Sequence, residues 1–139
     1  MRFHPIVAGM LAVATIAAAN GKALGGHEAK KASQLEEGRK VFEINCVACH
    51  GAEGKGDGVA AAALEPKPRN FTDAAYMKAR PVATLRQVIT EGGQSVGLSP
   101  IMVGWKASLT GDQIESVLKY VQSFSKPAKK GAKVKQAAH

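Results

Sequence analysis

The sequence predicts an all-α fold, and three observations carry that expectation. Strand signals are nearly absent along its 139 residues. Ile114, Val117, Leu118, Val121 and Phe124 recur at i, i+3, i+4, i+7 and i+10, the spacing of an amphipathic helix. Ser33 with Glu36 and Thr110 with Gln113 stand at the capping-box spacing that opens helices.

The elements follow in order. Arg2, the apolar run Ile6–Ala19 and the small-residue end Ala17-Ala18-Ala19 describe a signal peptide over residues 1–19. As a helix that run reaches roughly 21 Å, short of a bilayer core of about 30 Å. Cleavage is therefore expected, with an uncleaved anchor as the alternative, and export implies the periplasm. Residues 20–32, with Gly21, Gly25, Gly26 and scattered lysines, are expected to form a flexible leader. Ser33 then opens a helix that carries Leu35, Gly38, Val41, Phe42 and Asn45 along one side. Gly51–Gly58 is loop, and Val59–Leu64 is a short helix stopped by Pro66 and Pro68. Pro81–Thr90 forms a middle helix with Leu85, Val88 and Ile89 as its apolar side, ended by Gly92 and Gly93. Residues 91–105 are loop, and the last helix begins at Thr110 and ends before Pro127.

The net charge of +8 needs dividing. Between Gln34 and Ser125 the ten basic residues balance ten acidic ones, so the excess lies in the ends. No basic helix face interleaves with aromatics, which excludes a nucleic-acid partner. The Lys-rich segment 126–139 is expected to be a disordered tail, with at most a weak contact to an acidic partner or an anionic membrane. Aromatics make up only 5% of the chain, a thin supply for a core that a bulky cofactor would fill. Such long loops also ask for something to organise them.

Cys46-Val47-Ala48-Cys49-His50 is a C-x-x-C-H sequence, the attachment pattern of a c-type haem. At a helix end, residues i and i+3 face the same way, so both thiols reach one porphyrin edge and His50 comes under the iron. A thioredoxin-like dithiol belongs after a strand in a βαβ unit, which this chain lacks. Structural zinc needs two further ligands, and the other histidines are His4, His27 and His139 in the ends. A plain disulfide leaves His50 and the glycine-rich loop unexplained.

Residues 33–125 resemble a monohaem class I cytochrome c. The matching segments are Gly38-Arg39-Lys40-Val41-Phe42, Cys46 through Gly51, Gly54-Lys55-Gly56-Asp57-Gly58, Leu64-Glu65-Pro66-Lys67-Pro68, Met102-Val103-Gly104-Trp105, Leu109-Thr110 and Tyr120-Val121. The resemblance implies a cytochrome c-like fold: three to five helices with long loops around one covalent haem c, attached through Cys46 and Cys49. It implies that the first and last helices cross, with Gly38 and Phe42 meeting Val117 and Tyr120. His50 and Met102 become the axial iron ligands. Met102 follows the middle helix, as the family order requires; Met77 precedes it, and Val103 stands where the family often has proline. His27 is the rival distal ligand. A carbonyl of Pro66 or Pro68 would orient His50, Trp105 would pack on the methionine side, and Arg69, Arg80 or Arg86 would offset a propionate.

The implied function is that of a monomeric periplasmic one-electron carrier serving redox partner proteins, not an enzyme in itself. The alternatives are a haem c subunit of a larger respiratory dehydrogenase or oxidase, and a ligand-binding haem sensor.

Overall fold

The computed structural model describes residues 21–126. The expected signal peptide and almost all of the Lys-rich tail lie outside the described residues. Among the described residues there are five α-helices: α1 (Gly21–Asn45), α2 (Val47–His50), α3 (Ala74–Ala79), α4 (Val82–Glu91) and α5 (Gly111–Ser123). Short 3₁₀ turns occupy Ala61–Ala63 and Gly93–Val96. The described residues contain no strand, only an isolated antiparallel bridge between Gly92 and Val103. None of their helices is long and apolar enough to cross a membrane.

The first helix corrects the expected leader: residues 21–32 are already helical, so Ser33 lies inside the helix and does not open it. After Gly26 the chain reads His-Glu-Ala-Lys-Lys-Ala, mostly good helix formers with nothing to break the helix. The Ser33 hydroxyl donates back to the Lys30 carbonyl at 2.9 Å, so it serves the helix interior rather than capping a start. Residues 26–33 are exposed throughout.

The core lies where α1 crosses α5. Phe42, Val117 and Leu118 are each about 1% exposed, joined by Val41, Met77, Ile114 and Val121. Phe42 is ringed by Phe71, Tyr120 and Phe124 at centroid distances of 6.4, 5.4 and 5.2 Å. Gly38 permits the crossing: a Cβ there would lie 2.0 Å from the Ser116 carbonyl oxygen and 2.9 Å from Tyr120 Cβ. The expected meeting of Gly38 and Phe42 with the last helix is thus present. At the start of α5 the Thr110–Gln113 capping box is complete in both directions. Asp73 caps α3 by accepting from the Tyr76 amide at 3.0 Å, a short helix that has no periodic signal in the sequence.

An ion pair between Arg86 and Glu115 ties α4 to α5. Arg86 holds the Glu115 carboxyl below its ordinary value. The pair's stabilising contribution is therefore complete above the usual glutamate range near 4.3 and is lost as pH falls through the lower folded value. Both side chains are about two-fifths exposed, so salt screens the effect. Thermal unfolding across acidic pH should show a shallower acid loss in Glu115→Gln than in wild type, and the difference should shrink in high salt.

Candidate haem site

Helix α1 does not stop cleanly before the C-x-x-C-H sequence. The Cys46 amide donates to the Phe42 carbonyl at 2.9 Å and the His50 amide donates to the Cys46 carbonyl at 2.9 Å. Helical geometry therefore carries through Cys46 into α2, and it places Cys46, Cys49 and His50 together on the wall of one cleft. Gly51 ends the run with φ +75°, a conformation that side-chain-bearing residues rarely adopt. The glycine loop then folds back over α2: Gly56 donates to the His50 carbonyl at 2.8 Å and Gly58 to the Cys49 carbonyl at 3.2 Å.

The cleft is open to solvent on one side, and its lining is mostly apolar, as expected of a site for a large apolar group. Its far wall is α4. That helix buries no residue of its own, because the apolar side made by Leu85, Val88 and Ile89 faces the cleft. Leu64, Leu98, Ile101 and Leu109 extend the apolar lining.

Met102 lines the same cleft, on a loop pinned to the end of α4. The Gly93 amide donates to the Met102 carbonyl at 2.8 Å, and the Trp105 amide donates to the Ile89 carbonyl at 2.9 Å. Met77 is absent from the lining and sits in the α1–α5 core, 7% exposed. His27 is exposed on α1, away from the cleft. Pro66, Pro68 and Trp105 all line it.

The residue that orients His50 differs from the expectation. The His50 Nδ1 lies 3.2 Å from the Arg69 carbonyl oxygen, so neither Pro66 nor Pro68 supplies that contact. The two prolines are near neighbours in the chain, but the turn after Pro68 brings the Arg69 carbonyl round, while the Pro68 carbonyl oxygen crowds Gly56, 2.2 Å from where a Cβ would stand. A carbonyl only accepts, so Nδ1 carries the hydrogen and Nε2 keeps its lone pair for a metal. Burial pulls the His50 pKa below its ordinary value, opposed by the Arg69 contact. Burial also pushes the Cys46 thiol up to about 12, aided by Cys49.

Phe71 is a residue that sequence reasoning missed. Its ring stacks on His50 with centroids 4.4 Å apart and planes 21° apart. Arg69 also lines the cleft, its guanidinium 4.1 Å from the Tyr76 ring centroid, with Arg80 at 5.0 Å from the same ring. Arg86 is engaged by Glu115 instead.

The donor set suits iron porphyrin and little else. Both cysteines are free thiols. No cluster of three or more His, Cys, Asp or Glu side chains stands among the described residues, which leaves zinc without a ligand set. The Trp105 Nε1 is buried with no hydrogen-bond partner, an orphan donor that the carboxylate of a cleft-filling group would satisfy.

The family model for cytochrome c matches residues 35–125. The chain belongs to the cytochrome c family. It is 31% identical, over 103 residues, to the Cbb3-type cytochrome c oxidase subunit FixP of Bradyrhizobium diazoefficiens, covering 74% of this chain and 32% of that protein. It is 35% identical over 88 residues to the Cbb3-type cytochrome c oxidase subunit CcoP of Cereibacter sphaeroides, covering 63% and 27%. The CcoP subunit of Rhodobacter capsulatus is 34% identical over 89 residues, covering 63% and 28%. This cytochrome c chain thus spans about a third or less of the length of the curated relatives it matches.

Proposed function

We propose that this cytochrome c transfers single electrons through one haem c, held covalently by Cys46 and Cys49 and bound axially by His50 and Met102. The observation that carries the reading is the sorting of side chains by the fold. The two cysteines, His50 and Met102 share one apolar cleft, while the other methionine of the described residues, Met77, belongs to the core.

When bound, the group supplies a one-electron iron couple, and a His/Met ligand pair raises its potential. The chain's own residues do the rest. Two thioether links at Cys46 and Cys49 prevent loss of the group and hold its edge. The Arg69 carbonyl keeps the hydrogen on His50 Nδ1 and so leaves Nε2 free to ligate. Leu85, Val88 and Ile89 keep water off the face they cover. Trp105 offers its indole N–H to a propionate. With His50 and Met102 both ligating, the iron would keep no position open for a substrate.

The setting we propose is a haem-bearing subunit or partner of a respiratory oxidase on the periplasmic side. The relatives support that setting better than the freely diffusing carrier that the sequence alone puts first. Mild solubilisation from the native host separates the two: co-migration with an oxidase supports the subunit, and recovery as a free monomer supports the carrier.

The ligand assignment is tested with Met102→Ala beside Met77→Ala. Met102→Ala should abolish the weak red sulfur-to-iron absorption of the oxidised protein and open the reduced protein to carbon monoxide. Met77→Ala should keep that band and instead lose about 2–5 kcal/mol of stability, as large-to-small core changes do. Loss of the band in Met77→Ala alone would reverse the assignment.

A further inference from the structure

Building on the haem reading above, we infer that Phe71 is a positioning residue for His50 and tunes the iron's potential through it. The hydrogen bond from His50 Nδ1 to the Arg69 carbonyl fixes where that N–H points, but a single contact lets the imidazole rock about the Nδ1–oxygen line. The flat face of Phe71 stops the rocking, with planes 21° apart and centroids 4.4 Å apart. Phe71 is itself held. Its amide donates to the Gly54 carbonyl at 2.7 Å, and its ring packs on Phe42 and Phe124 at 6.4 Å each. The glycine loop, the Arg69–Phe71 turn and the α1–α5 core therefore converge on the plane of one imidazole. The same ring keeps water from His50, which is 9% exposed. Water near a metal ligand favours the more highly charged, oxidised state, so removing the ring should lower the potential.

The test uses the matured holoprotein. Phe71→Leu and Phe71→Ile remove the flat face, Phe71→Tyr keeps it, and Phe124→Leu disturbs the aromatic cluster one ring away from His50. Reduction potential and the g-values of the ferric protein are read for each, beside thermal unfolding. Either aliphatic variant that matures should show altered g-values and a potential lowered by up to about 59 mV, a tenfold change in a one-electron equilibrium. Phe71→Tyr should restore wild-type values of both. Phe124→Leu should lose comparable stability yet keep its g-values. Unchanged g-values and potential in the aliphatic variants, or an equal shift in Phe124→Leu, overturn the inference while the haem reading stands. A wild-type chain matured without covalent haem defeats that underlying reading instead, and shows itself by the absence of a haemochrome spectrum.

Discussion

Cys46→Ala combined with Cys49→Ala should yield a colourless chain that does not hold the native fold at 37 °C. The chemical half of this expectation follows from the motif: with neither thiol, no thioether forms, and denaturing chromatography strips any haem that had entered the cleft. The folding half follows from where the apolar surface lies. The buried core is confined mainly to the α1–α5 crossing, and α4 has no buried residue. Leu85, Val88 and Ile89 line the cleft and are only half-buried, although Leu85 and Ile89 also pack in part on that core, so a group filling the cleft would complete their burial. Full burial of such a side chain is worth roughly 1.5–3 kcal/mol, whereas a domain of this kind is stable by only about 5–15 kcal/mol. Leaving three such side chains half-buried forfeits part of that amount at each, a sizeable fraction of the total. Intact mass, the haemochrome spectrum and helical circular dichroism check both halves. A double variant that kept covalent haem would refute the attachment site, and one that lost haem but unfolded like wild type would refute the structural role given to the cofactor.

Gly38→Ala should destabilise the holoprotein by about 2 kcal/mol or more, against the trend of helix propensity. Two effects compete. Alanine gains roughly 1 kcal/mol over glycine within a helix. The new methyl, however, would stand 2.0 Å from the Ser116 carbonyl oxygen and 2.6 Å from its carbon. Those are backbone atoms of α5 and cannot swing aside, so the two helices must part and the packing of Phe42 and Val117 loosens. Overpacking of this kind costs about 1–3 kcal/mol and sometimes more, and the helices' separation places Gly38 at the upper end. A net 2 kcal/mol lowers the melting temperature by about 8–16 °C in a domain of this size. Gly26→Ala is the internal control: the same helix, with nothing within 4 Å of the new methyl. There the propensity gain should stand alone, raising stability by about 0.5–1 kcal/mol. Gly38→Ala melting at or above wild type would mean that the crossing is looser than the structure has it.

What the sequence determined by itself is what local rules encode. The Thr110–Gln113 box and the apolar periodicity of Ile114 to Phe124 specify α5 because helix caps and amphipathic faces act over a few residues. Pro81 and Gly92 bracket α4 for the same reason. The spacing of Cys46, Cys49 and His50 is itself a local geometry, so the candidate haem attachment is legible without coordinates. The start of α1 was misplaced because Ser33 has the composition of a cap in either role, and only the direction of its hydroxyl, toward the Lys30 carbonyl, distinguishes them.

Only the tertiary structure decided the surroundings of His50. Pro66, Pro68 and Arg69 lie within a few residues in a loop without periodicity, and the carbonyl that meets the imidazole is chosen by how that loop turns back. The turn is held from a distance by the Phe71 amide on Gly54 and by Pro68 against Gly56. Contacts between residues far apart in the chain, made by backbone groups that every residue carries, leave no mark in composition or spacing. The stacking of Phe71 on His50 and the sorting of Met102 into the cleft and Met77 into the core are decided in the same way, by packing once the helices have met.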